Sequence, residues 1–457
     1  MSIRFFGSIV GLCLLCPCGT AICGPFPGPN PNKLLTIAEK YNELGGLGGF
    51  GAPLGTEQQD GKGGKYREYE NGTIYWSSSV GAHEVHGDIL VKYKYLGESG
   101  SKLGYPTSDE VKVDKAAAGA CDAGAYSMFE NGVILWTANN AKRKSPDGVP
   151  PKFTAFEVHG NVLDEYKQLG AYSSVLCYPI TDQRTEADKK GVSNLFEHGG
   201  IYAKSDTALA HEVHGRIFSK YSEFGATSSD LKYPTSDEST AAGNAGGKFS
   251  TFDGGVIYWK MATDAHVVWG VILKTWQSAG AETSEYGYPT SDEFTVPVSN
   301  CKRSVFEKFA IDYCAGTVKK KVPLYTDLAA LDWCYDLSGG DIVFRAVVAN
   351  VGTQTVTGPG NFEIAMLTAP HMNDHPSQIP ATYTLGVGKT ATDFGEPLRV
   401  PFGQNQRYED GFYHFDIGEY AKYKNNNTLK LFTAGGDPST GQTGSWIVNS
   451  SGKKCVY

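Results

Sequence analysis

The sequence predicts a mainly β fold. It is a five-bladed β-propeller with one short helix per blade, closed by the N-terminal helix, plus a C-terminal β-sandwich. Three observations predict it. A Tyr-Pro turn, an aromatic hairpin and a short helix recur along the chain from Leu34 to Tyr313. A helical pattern (Ile37, Tyr41, Leu44) precedes the first hairpin, while none follows the fifth. Beyond Val318 the repeats stop and short alternating strands take over. A unit this small cannot bury a core alone and must stack on its copies.

The expected order is a signal peptide (1–23), a linker (24–33), the repeats (34–317) and an Ig-like β-sandwich (318–457). Arg4 followed by apolar Phe5 to Leu15 is too short to span a bilayer and reads as a secretory signal. Gly24 to Pro31 is a Pro/Gly tether. The first hairpin, Tyr66 to Trp76, turns at Asn71-Gly72, a type I′ signal. Ala82 to His86 is a further strand, and Ile89, Tyr93 and Leu96 mark a helix. The second to fifth units open at Tyr105-Pro106, Tyr178-Pro179, Tyr233-Pro234 and Tyr288-Pro289. Each reads as three short strands and a helix. The fifth lacks its helix, so the lone N-terminal one is expected to complete it and close a ring, hiding sheet edges. In the last region, Asp341 to Val348, Phe362 to Met366, Leu429 to Phe432 and Trp446 to Val448 read as strands of a sandwich.

The net charge of −8 supplies no basic footprint, so nucleic acid is not an expected partner. No later apolar run is long enough for a membrane helix. Outside the signal and its cleavage region six cysteines remain, an even number that favours disulfides in a secreted chain. The expected pairs are Cys301–Cys314, Cys334–Cys455 and Cys121–Cys177. Asn71, Asn426 and Asn449 lie in glycosylation sequons. A monomer without cofactor is expected.

The turn L-G-[FYA]-P-x-x-[DE], the hairpin F-x-x-G-x-I-Y-W and the helix entry H-x-V-x-G-x-I resemble the LGFP repeat family. Gly-Tyr-Pro, Cys-Tyr-Pro and Lys-Tyr-Pro stand where the family has Gly-Phe-Pro. That family occurs in secreted and cell-surface proteins, including modules attached to bacterial cell-wall enzymes. The resemblance implies a binding module for cell wall or glycan. It carries over no catalysis, because the enzyme halves of those proteins are absent here.

The acids Asp109, Glu110, Asp182, Asp237, Glu238, Asp292 and Glu293 recur once per unit. Adjacent strand residues face opposite ways, so no single pair makes a glycosidase set. Such repeated acids favour turn and backbone bonds, with calcium binding as a lesser option. His83, His211 and His266 head the third strands, where each imidazole is expected to bond a neighbouring turn. Tyr75, Tyr202 and Tyr258 are core or, alternatively, floors for sugar rings. These acids, histidines and tyrosines are the candidate ligand-binding residues. No nucleophile elbow, P-loop or H-E-x-x-H is present. The expected function is non-catalytic recognition of a glycan or cell-wall polymer. The alternatives are a polysaccharide hydrolase with acids drawn from different blades, and a structural or adhesive protein-binding module.

Overall fold

The structure, a computed structural model, describes Phe26, residues 34–142, residues 153–324 apart from 206, 243–245 and 298, and, further on, mainly the backbone of the strands with residues 350 and 352–355. The expected signal peptide, most of the tether, Asn426, Asn449, Trp446 to Val448 and Cys455 lie outside the described residues. The chain divides into two compact units, 1–214 and 215–457.

The first unit holds three four-stranded antiparallel sheets and the helices Ile37–Glu43, Gly87–Leu96 and Gly160–Gln168. The first sheet runs Gln58–Gln59, Lys65–Tyr69, Gly72–Ser77, Gly81–Val85. The second unit holds two more such sheets, with the helices Gly215–Glu223 and Gly270–Ser278, before the C-terminal strands. Each sheet has one strand more than the three expected. It follows the proline turn and is only two or three residues long, too short for alternation to reveal it. The fourth strand of the fifth sheet, Thr317–Val322, runs past the expected junction at 317/318.

The hairpin turn also differs from expectation. Tyr69 pairs with Gly72, so the turn residues are Glu70 and Asn71. Neither has a positive φ, so the turn is not type I′. Tertiary bonds hold it instead: Glu70 Oε2 accepts the Ala52 N–H at 2.8 Å and Asn71 Nδ2 donates to Gly49 O at 3.3 Å. Gly72 is needed for close approach, since a Cβ there would lie 2.7 Å from Phe50 and 2.8 Å from the Val85 carbonyl.

One contact recurs five times and corrects the argument for closure. Each helix carries an aromatic that packs on the hairpin aromatic of the sheet following it. The pairs are Tyr41–Tyr69, Tyr93–Phe129, Tyr166–Phe196, Tyr221–Phe252 and Trp276–Phe306, with ring centroids 4.6, 4.6, 4.7, 4.6 and 5.1 Å apart. The same side chain donates to the carbonyl two residues before the turn proline: Tyr41 to Gly51, Tyr93 to Gly104, Tyr166 to Cys177, Tyr221 to Lys232 and Trp276 to Gly287. Each such ring pair adds about 0.5–1.5 kcal/mol beyond its buried area. The unit is therefore helix followed by sheet. Helix Ile37–Glu43 packs on the first sheet, and helix Gly270–Ser278 packs on both the fourth sheet and the fifth. The N-terminal helix is no orphan, and the helix count does not call for a ring.

In the C-terminal part, Leu328–Ser338 and Asp341–Asn350 pair along nearly their whole length. They belong to a five-stranded sheet, and Gly360–Thr368, His371–Ile379, Gly411–Asp416 and Leu429–Phe432 form a four-stranded one. Lys453–Lys454 pairs in parallel with Cys334 and Tyr335, next to the expected Cys334–Cys455 bond, which itself lies outside the described residues. Cys121–Cys177 and Cys301–Cys314 are both formed.

Candidate functional site

Three of the repeated acids, Asp109, Asp182 and Asp292, are structural clips. Proline fixes the turn, the next residue pairs with the hairpin strand, and a hydroxyl then accepts a strand N–H. In the second repeat Thr107 N donates to Met128 O, and Ser108 Oγ accepts from Met128 N at 2.9 Å. This aims Asp109 back at the preceding repeat. Its Oδ1 accepts the Glu84 N–H at 3.0 Å, and its Oδ2 takes Lys40 Nζ at 2.7 Å. Asp182 repeats this with the Glu157 N–H and Lys92, and Asp292 with the Val267 N–H and Lys220. Burial raises the Asp109 pKa, but bonds from His83, Lys40 and the Glu84 N–H outweigh it and hold the carboxyl at about 2. Thr56 stands where the first turn would carry this acid.

A second clip runs the other way. Glu84 Oε1 accepts the Glu110 N–H at 2.9 Å, and Glu157 Oε1 accepts the Gln183 N–H at 3.2 Å. His86 bridges Glu84 Oε2 at 2.8 Å and Glu110 Oε1 at 3.2 Å, and these two carboxylates raise its pKa to about 10. In the next repeat Gln183 replaces the second acid. There burial, with Asp182 alongside, pushes Glu157 up to about 7, and burial lowers the His159 pKa. In the second unit Asp237 is half-buried, Glu238 lies 3.9 Å from Lys248 Nζ, and burial raises the Glu293 pKa.

Two of the three candidate histidines bond turns. His83 Nε2 bonds Val80 O at 3.1 Å, and His266 Nε2 bonds Thr263 O at 2.7 Å. His211 is half-buried beside Tyr202 in the third sheet. Cys177, Glu197 and His198 are close enough to share a metal, but the Cys177 sulfur is bonded to Cys121. Tyr75, Tyr202 and Tyr258 are 2%, 1% and 8% exposed, so they are core and not sugar floors. Tyr75 donates to Glu98 Oε1 at 2.6 Å, and Tyr258 stacks on Phe249 with centroids 4.9 Å apart. The core alternative holds for these three, since both faces of these strands are covered.

The open aromatic surface lies elsewhere in the first unit. Tyr95, at the end of helix Gly87–Leu96, is 59% exposed, and its ring centroid lies 4.5 Å from that of Phe153. Lys92 Nζ lies beneath, 4.2 Å from the Phe153 centroid and 5.3 Å from that of Tyr95. Val91 is exposed alongside. At the start of the same helix Asp88 Oδ2 accepts from Trp136 Nε1 at 2.8 Å and from Thr154 Oγ1 at 2.5 Å. The sequence reading missed this patch. Tyr95 falls off the buried stripe set by Ile89 and Tyr93, and that was the available signal. Phe153 sits at the edge of an irregular insertion that carries none.

No helix of the described residues is long and apolar enough to cross a membrane. The two disulfides belong to an oxidising setting, in keeping with an extracellular or surface protein. No curated protein matches the sequence. Among solved structures, the extracellular domain of a one component system from B. thetaiotaomicron aligns with 84% of this chain and 46% of its own, at 10% identity and a TM-score of 0.14. The chain thus spans about half the length of that protein. The LGFP repeat model matches residues 50–100, 103–174, 176–229 and 231–284, just over half of the chain. The chain belongs to the LGFP repeat family.

Proposed function

We propose that this is a secreted, non-catalytic binding protein that takes a glycan or cell-wall polymer on exposed aromatic surface of its repeats. The observation that carries the reading is the Tyr95–Phe153 pair, an apolar face at the surface flanked by Asp88 and Thr154. Sugar rings offer C–H faces to such platforms and hydroxyls to the polar groups around them. The repeated acids support a non-catalytic role, because Asp109, Asp182 and Asp292 are committed to backbone and lysine partners. The finer fold belongs to the same reading: the five four-stranded sheets as propeller blades, and the long C-terminal hairpin as part of an Ig-like sandwich.

The test is depletion of the full chain by insoluble chitin, cellulose and peptidoglycan, alongside a Tyr95→Ala variant. Binding by the wild type, weakened about tenfold by the substitution, is expected. Failure to bind any of the three, or equal binding by the variant, overturns the reading. Release of soluble sugar would favour the hydrolase instead.

A further inference from the structure

Phe26 lies in the Pro/Gly tether, yet it does not stand apart from the repeats. Its ring meets Tyr126 edge-on at 4.8 Å and Tyr172 edge-on at 5.8 Å, and lies 6.5 Å from Tyr166. It packs against the core that joins the second and third repeats. Tyr126, Tyr172 and Tyr178 form a ladder of near-parallel rings, Tyr126–Tyr172 at 5.8 Å and 22°, Tyr172–Tyr178 at 6.4 Å and 19°. This ladder is particular to this place. The turn residue Tyr172 corresponds to Ser99, Thr227 and Glu282 in neighbouring repeats. Opposite Tyr126 stands Leu135, where the first and fourth sheets place Tyr75 and Tyr258. The Tyr178 hydroxyl, by contrast, is shared with the other repeats: it is buried against Gly124 as that of Tyr288 is against Gly247.

Pro25 and Pro27 flank Phe26. Proline fixes its own φ and holds the residue before it in the extended or polyproline range, so such a segment loses little entropy on docking. Stacked tyrosines suit a proline-rich strand, which recognition surfaces of this kind hold on aromatic faces. We propose that the Tyr126–Tyr172–Tyr178 ladder is a binding site for proline-flanked aromatic peptide segments, filled in this chain by its own Phe26. This site is separate from the Tyr95 surface, and neither reading depends on the other.

The probe is a fluorescent peptide of residues 24–31 (Gly-Pro-Phe-Pro-Gly-Pro-Asn-Pro), measured by anisotropy. The full chain carrying Phe26→Ala should bind it at least about tenfold more tightly than the wild type, whose own segment competes at high effective concentration. Adding Tyr172→Ala should abolish binding. A second measurement needs no destabilising change: 4-fluorophenylalanine placed at position 26 should give a shielded ¹⁹F resonance that excess unlabelled peptide moves to the solvent-exposed position. Equal binding by wild type and Phe26→Ala, retention after Tyr172→Ala, or a resonance that peptide does not move would each overturn the proposal.

Discussion

Arg303 and Asp312 face each other across the middle of the fifth sheet and form two bonds, Nε–Oδ1 at 2.6 Å and Nη2–Oδ2 at 2.8 Å. Both side chains are buried. In the same register the fourth sheet pairs Phe249 with Tyr258, and the first pairs Tyr66 with Tyr75. The fifth sheet thus replaces an aromatic stack with an ion pair, and Arg303 Nη1 also donates to Gly352 O at 2.9 Å, tying the sheet to the segment that follows. Removing one partner strands a buried charge. Asp312→Ala should cost about 3–5 kcal/mol in urea unfolding. The double change Arg303→Phe with Asp312→Tyr should recover most of that loss. A single variant as stable as the wild type would show that the pair carries nothing.

The residue two before each turn proline is left-handed, with φ of 85°, 74°, 59°, 59° and 74° at Gly51, Gly104, Cys177, Lys232 and Gly287. A side chain there costs about 1–2 kcal/mol. Lys232→Gly relieves that strain, less the extra freedom gained by the unfolded chain, so a net gain of up to about 1 kcal/mol is expected in thermal melting. Gly104→Ala should lose about 2 kcal/mol. Its Cβ would fall 2.4 Å from Glu130 Oε2, which accepts the Tyr105 N–H.

Two clips should titrate in different windows. Glu157 has its pKa raised from 4.5 to about 7. Its neutral form is favoured by the fold, so that contribution is full below pH 4.5 and is lost as pH rises through about 7. His86 has its pKa raised from 6.5 to about 10, so its contribution is full below pH 6.5 and is lost as pH rises through about 10. Melting temperatures followed from pH 4.5 to 10 should lose the lower slope in Glu157→Gln and the upper slope in His86→Ala. An unchanged lower slope in Glu157→Gln would remove Glu157 as its source.

The two disulfides should differ in weight. Cys121–Cys177 spans 56 positions and Cys301–Cys314 spans 13. By loop entropy they stabilise by about 4 and about 3 kcal/mol. The paired change Cys121→Ser with Cys177→Ser should therefore lower the unfolding midpoint more than the same change at 301 and 314. The reverse order would mean that native packing and not loop length sets their worth.

Local pattern and composition alone determined the recurrence, the hairpin strands, the buried helix stripe of Ile89 and Tyr93, and the even cysteine count behind two observed disulfides. These are local signals, written in neighbouring residues by the spacing of helix and strand. Only the tertiary structure decided which sheet each helix covers, because Tyr41 and Tyr69 meet through space and no pattern names a partner. It also turned Asp109 from a candidate ligand into a clip. The Glu84 N–H and Lys40 Nζ that claim its two oxygens are 25 and 69 positions away. Burial on both faces of a sheet cannot be read from alternation, so the exposed aromatic proved to be Tyr95 and not Tyr75.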